Sequence, residues 1–261
     1  MYLKPKKSLG QNFLIDKNII DKIIHSAKIK SSDIVLEIGS GTGNLTKFII
    51  SRNPKKIYSI EKDENLANSL EKQYLNKISV VKKDILKIPQ EFYSGKKFLI
   101  LGNLPYNIST KILSDLCLSK NLVVSKMILM FQKEVAERIL ANVNSRDYSR
   151  ITILSNWKFN IKKITDVKPN SFFPKPKVHS SVLEFVPKKS FHEIKDPKNL
   201  EKITRIFFSQ RRKMIKKPLN ILFKNFQFDY NKFNIKPSDR PQNIDVVEYL
   251  RIVNEYEKLG S

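Results

Sequence analysis

The tetrapeptide Asn103-Leu-Pro-Tyr106 carries the densest chemical information in the sequence. The Asn103 side-chain oxygen and a backbone carbonyl such as that of Leu104 are two neutral hydrogen-bond acceptors, and Pro105 restricts the turn that aims the carbonyl. Such a pair suits an exocyclic adenine amine, whose lone pair is delocalised into the ring. Acceptors on both N–H bonds favour the pyramidal amine and support the positive charge that grows as it attacks. Tyr106 adds a flat face for stacking a base, worth about 1 to 3 kcal/mol. An amide is no general base. The reaction these residues could support is therefore direct in-line transfer from a sulfonium, with the proton leaving afterward to water and placement supplying most of the acceleration. In another setting the same residues form an ordinary turn, with Asn107 or Ser109 capping the next helix.

A second motif separates the two readings. The run Glu37-Ile-Gly-Ser-Gly-Thr-Gly43 follows a β-branched stretch, and its Gly39, Gly41 and Gly43 let the backbone approach a ligand closely. Its G-x-G-x-G spacing differs from the G-x-G-x-x-G of dinucleotide folds and fits S-adenosylmethionine, which has no pyrophosphate to seat on a helix. Glu61 ends the next strand, where an acid can accept both ribose hydroxyls. Asp84 ends the one after, where a carboxylate can accept from the adenine amine of the cofactor. Each acid alone reads as a solvated loop residue; three strand-end features in order point to one crevice. The segment Ser171-Phe-Phe-Pro-Lys-Pro-Lys-Val-His-Ser-Ser181 is stiffened by proline and can present Phe172 or Phe173, with Phe172 expected to sandwich the base against Tyr106. The bland reading is two core phenylalanines before a strand.

These motifs need a scaffold that sets them side by side. From Ile34 the sequence alternates short β-branched runs with longer helical-period segments, which predicts a parallel sheet covered by helices. Strands are expected at 34–38, 57–60, 78–82 and 98–101, and helices at about 44–51, at 64–75 and from Ser109. A buried strand at 127–131 feeds a helix over 133–142 whose Val135, Ala136, Ile139 and Leu140 share one face. A further amphipathic segment covers 148–157, and 159–167 and 178–186 read as a closing pair of strands. Past Pro187 the strand signal ends, while 200–208, 218–223 and 246–258 are helix-like. A small helical domain is expected from about residue 190.

Charge narrows the partner. Lys and Arg number 49 against 25 Asp and Glu, a net +24, which calls for a polyanion, nucleic acid ahead of an acidic membrane surface. Lys supplies 40 of the 49, so charge by itself decides little. More specific is the stretch from Lys202 to Lys224, with eight basic residues and no acid. Its adjacent Arg211, Arg212 and Lys213 repel one another and suit phosphate contacts better than a merely solvated helix face. The 41% hydrophobic content excludes disorder as the main state, and 261 residues suffice for one large and one small domain. A single cysteine, Cys117, excludes an internal disulfide framework, and the scattered His25, His179 and His192 lack metal-ligand spacing, so no metal is expected. No apolar run approaches the roughly 18 residues of a membrane span. Asp16 and Asp21 argue against a targeting peptide, and a cytoplasmic protein is expected.

In order and spacing these motifs resemble the small-subunit ribosomal RNA adenine N6,N6-dimethyltransferase family over nearly the whole chain. The segment Lys7-Ser-Leu-Gly-Gln-Asn-Phe-Leu14 is similar to the family's N-terminal signature, and Phe131-Gln-Lys-Glu-Val-Ala-Glu-Arg138 and Phe172 with Pro174-Lys-Pro-Lys-Val178 match further blocks. The resemblance implies an α/β fold, a seven-stranded class I (Rossmann-like) methyltransferase sheet with a small all-helical C-terminal domain. Its catalytic domain would span 1–188 and its rRNA-binding domain 189–261. S-adenosyl-L-methionine would be held by Asn12, Leu14, Gly39, Gly41, Glu61, Asp84 and Asn103, with catalysis by Asn103, Leu104, Pro105, Tyr106 and Phe172. Arg205, Arg211, Arg212 and Lys213 would grip RNA. The implied substrate is a pair of adjacent adenines near the 3′ end of small-subunit rRNA, each methylated twice, in a partly assembled ribosomal subunit, by a monomer. Erythromycin-resistance methyltransferases of large-subunit rRNA share the cofactor and Asn-x-Pro-Tyr motifs, but Phe131 to Arg138 and Phe208-Ser-Gln-Arg-Arg-Lys-Met214 look more like the small-subunit enzymes. The motifs also fit an adenine methyltransferase of DNA, and the charge fits a non-catalytic nucleic-acid-binding assembly factor. The intact Asn103 to Tyr106 argues against the assembly factor, since a pure binder has no need of that acceptor geometry.

Overall fold

The computed structural model describes residues 5–6, 9–224 and 228–259, so Lys7 and Ser8 of the N-terminal signature lie outside the described residues. Chain order runs β1 (Phe13–Leu14), α1 (Lys17–Ala27), β2 (Ile34–Ile38), α2 (Thr46–Ile50), β3 (Lys56–Ile60), α3 (Glu64–Gln73), β4 (Ser79–Val81) and β5 (Lys97–Asn103). It continues with α4 (Ser109–Leu118), β6 (Val123–Gln132), α5 (Lys133–Leu140), α6 (Arg150–Lys158), β7 (Phe159–Val167), β8 (Phe172–Phe173) and β9 (Ser180–Pro187). Three helices close the chain: α7 (Pro197–Ser209), α8 (Lys216–Leu222) and α9 (Val246–Lys258).

Seven strands form one sheet in the order β4-β3-β2-β5-β6-β9-β7. The pairs β2–β3, β3–β4, β2–β5 and β5–β6 are parallel, and β6–β9 is antiparallel. Strand order reverses at β2, and such a reversal opens a crevice at the carboxyl ends of the strands. Register decides what lines it. Ile38 pairs with Ile60 on one side and Gly102 on the other, so Gly39, Glu61 and Asn103 emerge at the same level of three adjacent strands.

Two elements escaped the sequence reading. Helix α1 buries Ile19, Ile20, Ile23, Ile24 and Ala27, and Asp16 caps it by accepting the N–H groups of Asn18 and Ile19 at 3.0 and 3.4 Å. Its apolar face joins the core beneath the sheet, with Val35, Leu99, Ile128 and Met130. The two-residue strands β1 and β8 form a separate antiparallel ribbon, Leu14 opposite Phe172 and Phe13 opposite Phe173.

The chain divides into two compact units, the first comprising 1–116, 120–136 and 160–187, the second 117–119, 137–159 and 188–261. The expected division into 1–188 and 189–261 therefore needs correction. Residues 137–159 join the second unit because Tyr148, Ile153, Leu154 and Trp157 belong to one buried cluster with Leu200, Ile203, Phe207, Tyr249 and Val253. That unit is built on α6, α7, α8 and α9. Each α6 side chain there gains burial that local amphipathicity alone cannot assign to a domain.

Candidate active site

The turn after β2 is held to its neighbours by backbone bonds. Gly39 and Gly41 have φ of +73° and +56°, a region that favours glycine. The Gly39 N–H donates to the Ile60 carbonyl at 2.9 Å, and the Gly41 N–H to Glu61 Oε2 at 2.9 Å. A Cβ on Gly41 would sit 2.8 Å from the Phe13 ring, so a side chain there would displace the N-terminal segment.

Acceptors dominate the crevice that these residues line. Glu61 is buried; Oε1 accepts the Asp63 N–H at 2.8 Å and Oε2 the Gly41 N–H at 2.9 Å, so backbone N–H groups orient both oxygens. Burial raises its pKa above the ordinary carboxylate range against the pull of those backbone N–H groups. Asp84 accepts the Leu86 N–H at 3.0 Å and pairs with Lys62 at 2.9 Å. Burial opposes its charge, but the bonds from Lys62 and Leu86 and the Lys62 charge outweigh burial and lower its pKa. Beneath the Gly turn lies Glu37, 1% exposed, whose Oε2 accepts the Thr46 hydroxyl at 2.6 Å and whose Oε1 meets no well-formed hydrogen bond among the described residues. Desolvation pushes its pKa up to about 7.

Asn103 lies at the end of β5, where the N-terminal segment crosses it. Its Nδ2 donates to the Asn12 carbonyl at 2.7 Å. A carbonyl can only accept, so this bond fixes which way the amide points. Asn103 Oδ1, left without a donor among the described residues, is the acceptor available to a ligand. The segment itself is tied on both sides. Asn44 Nδ2 donates to the Leu14 carbonyl at 2.9 Å, and Gln11 Nε2 donates to Asp63 Oδ2 at 3.1 Å. The Leu14 side chain is in the core, so what it offers the crevice is backbone. Gln11, Asn12 and Leu14 line the same crevice as Gly39, Glu61, Asp84 and Asn103.

The aromatic residues divide differently from the expectation. Tyr106 is half-buried at the crevice, its hydroxyl 2.6 Å from that of Ser180 at the start of β9, which anchors the ring by its edge and leaves a face. Phe172 is not at the crevice. It is 3% exposed and packs in the core with Leu14, Val167 and Val182, because pairing with Leu14 turns it inward. The next residue on the strand points the opposite way, and Phe173 is 59% exposed. The expected sandwich of a base between Phe172 and Tyr106 is therefore corrected: Phe173 is the ring that solvent reaches.

A family model described as ribosomal RNA adenine dimethylase matches residues 2–258. The chain belongs to the ribosomal RNA adenine dimethylase family. It is 51% identical over 261 residues to the ribosomal RNA small subunit methyltransferase A of Pelagibacter ubique, covering 99% of each chain. It is 39% identical to the protein of that name from Malacoplasma penetrans, covering 97% of this chain and 92% of the relative. Among solved structures, a dimethyladenosine transferase from Plasmodium falciparum superposes with a TM-score of 0.78 at 32% identity, covering 95% of this chain and 98% of that one. The 23S rRNA methyltransferase ErmE superposes with a TM-score of 0.67 at 23% identity, covering 94% and 100%, and shares the fold. The seven-stranded sheet is thus a Rossmann-like methyltransferase sheet, as in the dimethyladenosine transferase structure.

In the second unit of this dimethylase family member, the basic segment is not uniform. Arg205, Arg212 and Lys213 are exposed. Arg211 donates through Nη2 to the Arg146 carbonyl and, at 3.5 Å, to that of Ser145, so one end of its guanidinium holds the turn before α6. Among the described residues no group of three or more His, Cys, Asp or Glu could hold a metal ion, and no helix is long and apolar enough to cross a membrane.

Several residues at or next to the crevice carry little signal in the sequence. Glu37 entered only as the start of the Gly-rich run, and Gln11 only as part of the N-terminal signature. Asp63 was legible as a helix cap, an Asp directly before Glu64 and the apolar positions of α3. Its second oxygen, turned to the N-terminal segment, was not. Ser180 carried no signal.

Proposed function

We propose that this chain transfers methyl groups from S-adenosyl-L-methionine to N6 of two adjacent adenines near the 3′ end of small-subunit rRNA, twice each, in a partly assembled ribosomal subunit. The observation that carries the reading is the oriented Asn103 amide: a neutral acceptor, fixed by the Asn12 carbonyl, at the strand end beside an acceptor-lined crevice. A phosphate-bearing cofactor would meet Glu61 and Asp84 there, with Lys62 already paired to Asp84. A sulfonium nucleoside suits those acids. A side chain at Gly41 would strike the Phe13 ring, so glycine at that position keeps the N-terminal segment closed against the turn.

The bound donor supplies an activated methyl group on sulfur. Glu61 accepts the ribose hydroxyls, Asp84 accepts from the purine amine, and the backbone at Asn12, Leu14, Gly39 and Gly41 encloses the remainder. Asn103 Oδ1 and the Leu104 carbonyl accept the two N–H bonds of the target amine, and Pro105 restrains the turn that carries them. Tyr106, anchored through Ser180, stacks on the base, and Phe173, the exposed ring of the pair, supplies the second stacking surface. No titrating side chain is needed, since the proton leaves after transfer to water. Arg205, Arg212 and Lys213 contact the RNA backbone. The setting is the cytoplasm, where ribosomal subunits are assembled, and the protein works as a monomer.

The names of the relatives that cover nearly the whole chain support a small-subunit substrate over a large-subunit one. Primer extension across the 3′ end of small-subunit rRNA tests this directly, because dimethyladenine blocks Watson–Crick pairing. Subunits from cells lacking the modification should gain stops at two adjacent adenines when given this chain and donor. Read-through, or stops in large-subunit rRNA only, would overturn the assignment.

A further inference from the structure

Asp63 divides its two carboxylate oxygens between different tasks. Oδ1 accepts the Asn65 and Leu66 N–H groups at 3.0 and 3.5 Å, capping α3. Oδ2 faces the N-terminal segment, accepting Gln11 Nε2 at 3.1 Å and pairing with Lys6 at 2.9 Å. The Asp63 backbone N–H donates to Glu61 Oε1 at 2.8 Å. Only 4% exposed, Asp63 meets both the acid at the end of β3 and the segment whose next residue, Asn12, orients the Asn103 amide.

We infer that Asp63 is a positioning residue for methyl transfer, acting through its bond to Gln11 to hold the Asn12 carbonyl against the Asn103 amide. The inference rests on the function proposed above. A chain tied at Gln11 and again at Leu14 has little freedom at the intervening carbonyl, because the anchors are only three residues apart. Released at Gln11, that carbonyl no longer selects one face of the amide. Rotation of the amide would then present N–H groups to an amine that needs an acceptor, the wrong polarity for reaction. Burial works against the Asp63 charge, yet the bonds from Lys6 and Gln11 lower its pKa, as an occupied latch requires.

Exchange of the two groups tests the latch. Gln11→Glu sets two carboxylates face to face, whereas Gln11→Glu with Asp63→Asn puts carboxylate and amide on exchanged sides and keeps an oxygen for the α3 cap. The single variant should lose about tenfold or more in kcat at saturating donor and RNA, and the double variant should recover to within about threefold of wild type. Thermal midpoints of the two should be similar. A single variant with wild-type kcat, or a double variant no better than the single, would overturn the positioning role. A wild-type chain that methylates no rRNA adenine would instead strike the function on which the inference rests.

Discussion

The carbonyl of Asn12 and the side-chain amide of Asn103 meet at 2.7 Å although 91 residues separate them. That bond decides which end of the amide faces the crevice. Asn103→Ala removes the acceptor while leaving Glu61 and Asp84 in place. Methyl transfer should fall about 100- to 1000-fold, the usual scale for losing one oriented hydrogen-bonding group in a reaction site. Donor affinity by titration calorimetry should stay within about threefold. Substantial residual transfer would contradict a mechanism built on neutral acceptors.

Glu37 gives a pH signature of its own. Its folded pKa of about 7 lies above the ordinary 4.5, so the folded chain holds a proton that the unfolded chain has released. Its contribution to stability is therefore full below about pH 4.5 and is lost as pH rises through about 7. Glu37→Gln should remove this dependence and leave the protein more stable than wild type at pH 8, by roughly 1 to 3 kcal/mol. Urea unfolding at pH 5.5 and pH 8 reads it as a change in the stability difference between the two conditions. Parallel pH trends in the two proteins would mean that Glu37 is ionised throughout.

The neighbouring phenylalanines should behave oppositely. Phe172→Ala opens a cavity in the core and should cost about 3 to 5 kcal/mol. Phe173→Ala removes an exposed ring, so its unfolding midpoint should hardly move while kcat/KM for rRNA falls about tenfold. If Phe173→Ala turns over like wild type, stacking rests on Tyr106 alone.

Within the basic segment, stability and salt dependence should separate. Arg212→Ala with Lys213→Ala should reduce the slope of log affinity against log salt by about 1.4 to 1.8 for two lost phosphate contacts, with the fold intact. Arg211→Ala should instead lower thermal stability by releasing the Ser145 and Arg146 carbonyls. An unchanged salt slope in the double variant would move the phosphate contacts elsewhere.

Residues 34–38 and 246–258 were read from the sequence with the boundaries that the structure has, as β2 and α9. The strand-end positions of Gly39, Glu61, Asp84 and Asn103 were equally legible. Both follow from local physics: side-chain period, β-branching and polar stops repeat within a few residues, and parallel βα units place strand ends on one side. Long-range contacts set the rest. A two-residue ribbon has no periodicity to detect, yet it decides that Phe172 turns inward and Phe173 outward. The transfer of 137–159 to the second unit, the use of Arg211 on backbone carbonyls and the latch from Asp63 to Gln11 likewise depend on partners far along the chain. Residue types and spacing determined which groups could do the chemistry; only folding decided which lone pairs, ring faces and charges remained free to do it, because each is defined by what else the packed chain brings against it.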